Sequence, residues 1–150
     1  MANISQINGL LINAATASYF QGSGDFSAVQ ARRTTGFTLP AAASFITLDA
    51  TDVENTPSVV AHDNINTERI YVYSTGLYLI HYHADVGPGT VNDFEFSVVK
   101  NALTTISGSI INGKSSSTDK VAAGVDVLVL LNANDYVSLY GKYVASSGGI

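Results

Sequence analysis

Two stretches of this chain alternate with a period of two residues and are apolar on both of the faces that the alternation defines. In residues 76–86 (GLYLIHYHADV), Tyr78, Ile80, Tyr82 and Ala84 share one face, and Leu77, Leu79, His81, His83 and Asp85 share the other. In residues 125–131 (VDVLVLL), Val125, Val127, Val129 and Leu131 oppose Asp126, Leu128 and Leu130. A strand of a two-sheet sandwich covers one face with its own core. The second apolar face needs another cover, and a neighbouring subunit is the economical one.

The remaining sequence supports the same class. Runs rich in Val, Ile, Thr, Tyr and Phe are punctuated by Gly, Asn, Asp and Ser, the pattern of many short strands in a sandwich or jelly roll. Only residues 16–19 and 40–44, where Ala clusters, offer room for a helical turn. Asn8-Gly9 and Asn112-Gly113 are dipeptides that accept positive φ and close tight hairpins. Charged residues make up 13% of the chain, about half of the roughly 25% usual in a soluble domain, while hydrophobic residues make up 46%. That balance excludes disorder and favours an oligomer that hides part of each subunit's exterior.

Charge and cysteine usage remove several function classes. The net charge is −5 and no basic run is present, so neither nucleic acid nor an anionic membrane is an expected partner. No stretch approaches 18 consecutive apolar residues, and no Lys or Arg precedes Arg32, which argues against a membrane span and a secretory signal. The chain has no Cys, which excludes disulfides and thiolate chemistry.

Residues 1–25 differ from the jelly-roll region expected over residues 26–150. Residues 1–21 carry no charge, and residues 21–25 (QGSGD) form a flexible break. Residues 4–12 (ISQINGLLI) are too short to stand alone. They are read as an arm whose Ile4, Ile7, Leu10, Leu11 and Ile12 dock on a partner, with completion of the domain's own sheet as the alternative.

With its strands laid out, the chain resembles the trimeric jelly-roll superfamily of the tumour-necrosis-factor fold and the complement globular head. The likeness begins near Phe26 (FSAVQARRTT) and continues through Phe45-Ile46-Thr47-Leu48-Asp49. It is most specific at Ser74-Thr75-Gly76-Leu77-Tyr78-Leu79-Ile80, similar to the family's Gly-x-Tyr strand. It closes with Leu131-Asn132-Ala133-Asn134-Asp135-Tyr136-Val137, similar to Leu-x-x-Gly-Asp-x-Val, with Asn134 where Gly is usual. Asn tolerates the same left-handed backbone. The resemblance implies an all-β sandwich of two antiparallel sheets, with ten strands or fewer, packed as a homotrimer about a threefold axis. It implies Tyr78 and Ile80 in the core, with Leu79, His81, His83, Asp126 and Leu128 toward other subunits. The family also has a further strand after the one beginning near Tyr136, but only about fifteen residues follow Asp135. Either that strand is very short, or the N-terminal arm fills its place.

Chemistry-bearing residues are sparse. His81 and His83 share a strand face with Asp85, the one metal-like spacing in the chain. Jelly-roll metalloenzymes need a further Glu and a third His, and the remaining histidine, His62, falls in a polar loop. His81 and His83 are therefore read as packed interface residues, with no metal and no cofactor assigned, an ion on the threefold axis being left open. Three copies converging there imply acid sensitivity. Asp93 and Glu95 alternate with Phe94 and Phe96, the mark of a solvated face opposite a core face. Ser107-Gly108-Ser109 lacks a nucleophile elbow, and Arg32-Arg33 reads as a salt-bridge or docking pair.

The resulting expectation is a non-enzymatic structural homotrimer. Its mildly acidic exterior, rich in Ser, Thr, Asn and Gly, looks like that of a bacteriophage virion component. The favoured form is a capsid decoration (cement) or head-fibre protein on the outer capsid surface, its arm anchored to the major capsid protein or another virion protein. The alternative is a receptor- or carbohydrate-binding head of a phage tail fibre or bacterial surface fibre. For that role Tyr71, Tyr73, Tyr136, Tyr140 and Tyr143 are available, although alternation assigns several of them to the core.

Overall fold

The computed structural model describes residues 10–15, 27–87 and 93–144. The described residues form twelve strands and no helix. These are β1 (Leu10–Ala15), β2 (Ser27–Arg32), β3 (Ser44–Phe45), β4 (Ala50–Glu54), β5 (Val60–His62), β6 (Ile70–Val72), β7 (Gly76–Val86), β8 (Asp93–Lys100), β9 (Thr104–Thr105), β10 (Ile111–Lys114), β11 (Val121–Leu131) and β12 (Tyr136–Val144). One sheet runs β11-β7-β1-β2-β4 and the other β10-β8-β12-β6-β5, with β3 added on β12 and β9 on β8. Every pairing is antiparallel. The two main paths hold ten strands, and two further pairings of two residues each bring the described total to twelve, above the expected ten or fewer.

The core lies between the sheets and follows the alternation. Tyr78, Ile80 and Tyr82 of β7 and Val127 and Leu131 of β11 meet Ile70, Val72, Phe94, Phe96, Val98, Val137 and Leu139 of the other sheet, all buried. The two core tyrosines satisfy their hydroxyls internally, Tyr78 donating to the Ser74 carbonyl at 2.5 Å and Tyr82 to that of Ser109 at 3.0 Å. Burial pushes both phenols above their ordinary acidity range.

Several local expectations change. Leu10, Leu11 and Ile12 do not form a free docking arm. They belong to β1, which is paired with β2 on one side and β7 on the other, so the alternative of sheet completion is the one observed. An interior strand has both rows of backbone groups committed, so this stretch is not a free arm. Ile4, Ile7 and the Asn8-Gly9 turn lie outside the described residues, as do residues 16–19. Residues 40–44 bend into β3 and hold no helical turn. Asn112-Gly113 is part of β10 rather than a hairpin turn, with Gly113 opposite Phe94. A Cβ on Gly113 would stand 2.3 Å from the Phe94 ring, so the glycine makes room for an aromatic side chain. His62 lies buried in β5, where its ring bonds to the Thr51 hydroxyl at 2.7 Å and the Thr67 carbonyl at 2.9 Å.

The turn before β12 matches its motif. Asn134 has φ 71° and donates its backbone N–H to the Val72 carbonyl at 2.7 Å. Asp135 accepts from Asn101 Nδ2 at 2.7 Å and from the Asn132 N–H at 2.9 Å, with Lys100 Nζ at 3.7 Å. Burial works to raise the Asp135 pKa, but these donors outweigh it and hold the carboxyl below its ordinary value.

Two predictions follow from this arrangement. A chain lacking residues 1–15 loses an interior strand and is expected to show no cooperative thermal transition by circular dichroism; unchanged melting would mean that β1 is dispensable. Asp135→Ala is expected to cost about 2 kcal/mol at pH 7, the scale of hydrogen bonds to a charged group. Because the folded pKa is depressed, that advantage is fully present above the unfolded value of about 4 and fades as pH falls further. Urea titrations of both proteins at pH 7 and at pH 3 check the size and the sign.

Candidate functional site

The outward face of the five-stranded sheet is set by the pairing of β7 with β11. Eleven consecutive pairs place Leu77 beside Leu130, Leu79 beside Leu128, His81 beside Asp126 and His83 beside Gly124. Because Tyr78, Ile80, Tyr82, Val127 and Leu131 point inward, these partners point away from the core. All five residues expected at a subunit interface, Leu79, His81, His83, Asp126 and Leu128, therefore lie together on one surface. Leu77 and Leu130 extend it by one more cross-strand pair. They share the alternating face of Leu79 and Leu128, and that is the signal that identifies them.

The surface is apolar at one end and polar in the middle. Leu128 is 59% exposed and Leu130 is 64% exposed, and among the described residues β11 forms the edge of its sheet. Edge strands with large exposed aliphatic side chains invite pairing or covering by another chain. Further along, His81 Nδ1 lies 2.5 Å from Asp126 Oδ1, and His83 Nε2 lies 3.7 Å from Asp85 Oδ1. A shallow depression is lined by His81, His83, Gly124 and Asp126. A Cβ on Gly124 would come 2.7 Å from the Tyr82 carbonyl oxygen and 3.5 Å from the His83 ring, so glycine permits the close approach of the strands there. At the other side of the sheet, Arg32 pairs with Asp52 at 2.8 Å, in line with its expected salt bridge.

The catalytic alternatives do not assemble among the described residues. No group of three or more His, Asp or Glu side chains is placed to hold a metal ion. His62, the third histidine, lies in the opposite sheet and is bonded to Thr51 and Thr67. Ser109 is buried and supports the β8 backbone, donating to the Val98 carbonyl and accepting from its N–H at 3.0 Å. Glu95 pairs with Lys142 at 3.0 Å, while Phe94 and Phe96 fill the core. A cleft of about 520 Å³ opens between the sheets, with largely aliphatic and aromatic walls. Arg33 at its rim bonds the Thr35 carbonyl at 3.0 Å and the Thr47 hydroxyl, and it stands over the Phe37 ring.

The tyrosines require a correction. Tyr71, Tyr73, Tyr136, Tyr140 and Tyr143 are all outside the buried core, which takes Tyr78 and Tyr82 instead. Tyr71 and Tyr136 are register partners across β6 and β12. Their inward neighbours, Ile70 and Val137, turn both rings outward.

No protein-family model matches the sequence, and none of the curated proteins resembles it in sequence. The structure is similar to the crystal structure of murine APRIL, a jelly roll of the tumour-necrosis-factor family. The likeness covers 94% of this chain and 92% of that one, with a TM-score of 0.53 and 10% sequence identity. At that identity the similarity establishes a shared fold.

Proposed function

We propose that this chain is a non-enzymatic structural protein that assembles as a homotrimer through the outward face of its five-stranded sheet. The observation that carries the reading is the ladder of Leu77, Leu79, Leu128 and Leu130 beside β11, an edge strand among the described residues. Burying each such leucine contributes on the order of 1.5–3 kcal/mol per subunit, so several together offset a substantial part of the cost of association. The fold adds support, since jelly rolls of this type are typically homotrimeric. In a trimer the His81–Asp126 pairs lie at the border of the apolar patch and give it a register.

The proposed setting is the outer surface of a bacteriophage capsid, as a decoration or head-fibre protein. That step rests on the low charge content, the Ser/Thr/Asn/Gly-rich exterior and fold-level analogy. The backbone of Leu10, Leu11 and Ile12 is paired within the sheet, and Ile4 and Ile7 are the arm residues proposed to contact the major capsid protein.

The Leu79→Asp/Leu128→Asp double variant separates assembly from folding. It is expected to keep its β-sheet circular dichroism spectrum while its native mass falls to that of one subunit. An unchanged mass would place the subunit contact elsewhere. Antibody labelling of virus particles viewed by electron microscopy tests the setting, with label expected on the outer capsid.

A further inference from the structure

The seven-stranded sheet carries a second surface, on the side of the sandwich away from the leucine ladder. Ile70 and Val72 of β6 and Val137 of β12 are buried, so Arg69, Tyr71, Tyr73 and Tyr136 face outward. The Tyr71 and Tyr73 rings are parallel within 6°, their centroids 6.1 Å apart. Tyr136 packs on Tyr71 with centroids 5.2 Å apart, and the Arg69 guanidinium sits 4.8 Å from the centre of the Tyr136 ring. Arg69 Nε also bonds Glu68 Oε1 at 3.1 Å, and Arg69 Nη1 reaches the Tyr71 hydroxyl at 3.4 Å. The row ends in Tyr73, which is 46% exposed.

We infer that this row binds neutral hexopyranose units of a glycan. The packed rings and the guanidinium hold one another in place before any ligand arrives, which limits the ordering cost of binding. An aromatic face carries negative quadrupole density and attracts the weakly positive C–H groups on the flat side of a pyranose. Because Tyr71 lies between Tyr73 and Tyr136, and Arg69 sits over Tyr136, the face offered to the sugar is that of Tyr73 at the exposed end of the row. Hydroxyl groups around that sugar need donors and acceptors. Among the described residues, the hydroxyls of Tyr73 and Tyr136 make no hydrogen bond. Glu68 Oε2 and Arg69 Nη2 likewise have capacity beyond their mutual ion pair. The single cation of the row is already matched by Glu68, so an anionic ligand such as a phosphate chain finds no net attraction. A surface that stacks apolar faces and offers several uncommitted polar groups without net charge suits an uncharged sugar better than a nucleotide.

The inference is independent of the virion setting and uses trimerisation only for strength. The row lies on the sheet opposite the proposed subunit contact, so three copies would remain open to solvent. A shallow platform binds one sugar weakly, and three platforms engaging one glycan-bearing surface raise avidity by roughly 10²–10⁴.

The full chain, applied to a printed array of neutral and anionic oligosaccharides, tests the inference, with saturation-transfer NMR on soluble hexasaccharides of glucose, galactose and N-acetylglucosamine. Binding to at least one neutral oligosaccharide is expected. Tyr73→Ala is expected to weaken it at least tenfold and Tyr73→Phe, which keeps the ring, less than threefold, with native mass unchanged in both variants. Absence of neutral-sugar binding, capture of anionic glycans alone, or equal binding by Tyr73→Ala would overturn the inference. A row that serves a protein partner instead gives the first of these results.

Discussion

β7 and β11 pair over eleven residues without a break in register, and side chains alternate along both strands. One register therefore settles two surfaces together. It sends Tyr78, Ile80, Tyr82, Val127 and Leu131 into the core, and it lines up Leu77, Leu79, Leu128 and Leu130 on the outside. A slip by a single residue would exchange the two sets and expose the tyrosines. The pairing is protected from within by Gly124, where any larger side chain would meet the Tyr82 backbone. It is flanked by β1, which binds the other edge of β7.

The sandwich thus has two sides with different chemistry. The five-stranded sheet presents aliphatic side chains next to what is, among the described residues, an edge strand, with His81 and Asp126 beside them, a composition suited to a second copy of the same chain. The seven-stranded sheet presents Tyr71, Tyr73 and Tyr136 with Arg69 and Glu68, a composition suited to a small amphipathic ligand. Separation onto opposite sides would let the proposed assembly and the proposed sugar binding proceed without competing for the same residues. The charged pairs Arg32–Asp52, Lys142–Glu95 and Lys100–Asp135 sit between strands and add little net charge to either side.

Legibility in the sequence followed the physics of each element. Alternation sorted the residues of β7 and β11 into two faces, because periodicity records which residues share a face, and the family resemblance chose Tyr78 and Ile80 as the inward pair that the core contains. The left-handed Asn134 was also readable, since few residues accept positive φ. Asn112-Gly113 misled for the complementary reason. Glycine serves turns, but it also serves places where another side chain needs its space, and only the position of Phe94 distinguishes the two. β1 was ambiguous because a short apolar segment reads alike whether it lies in its own sheet or on a partner. His62 and the tyrosine row depend on contacts between different strands, such as Thr51 of β4 with His62 of β5 and Tyr71 of β6 with Tyr136 of β12, which no single-strand pattern encodes.

The proposed trimer requires the leucine ladder to be covered by other copies of the chain. Sedimentation equilibrium of the wild-type protein at micromolar concentration measures that directly. The predicted result is a single species of three times the 15.7 kDa subunit mass, stable to dilution. A monodisperse species of 15.7 kDa that stays soluble across the same range would contradict it.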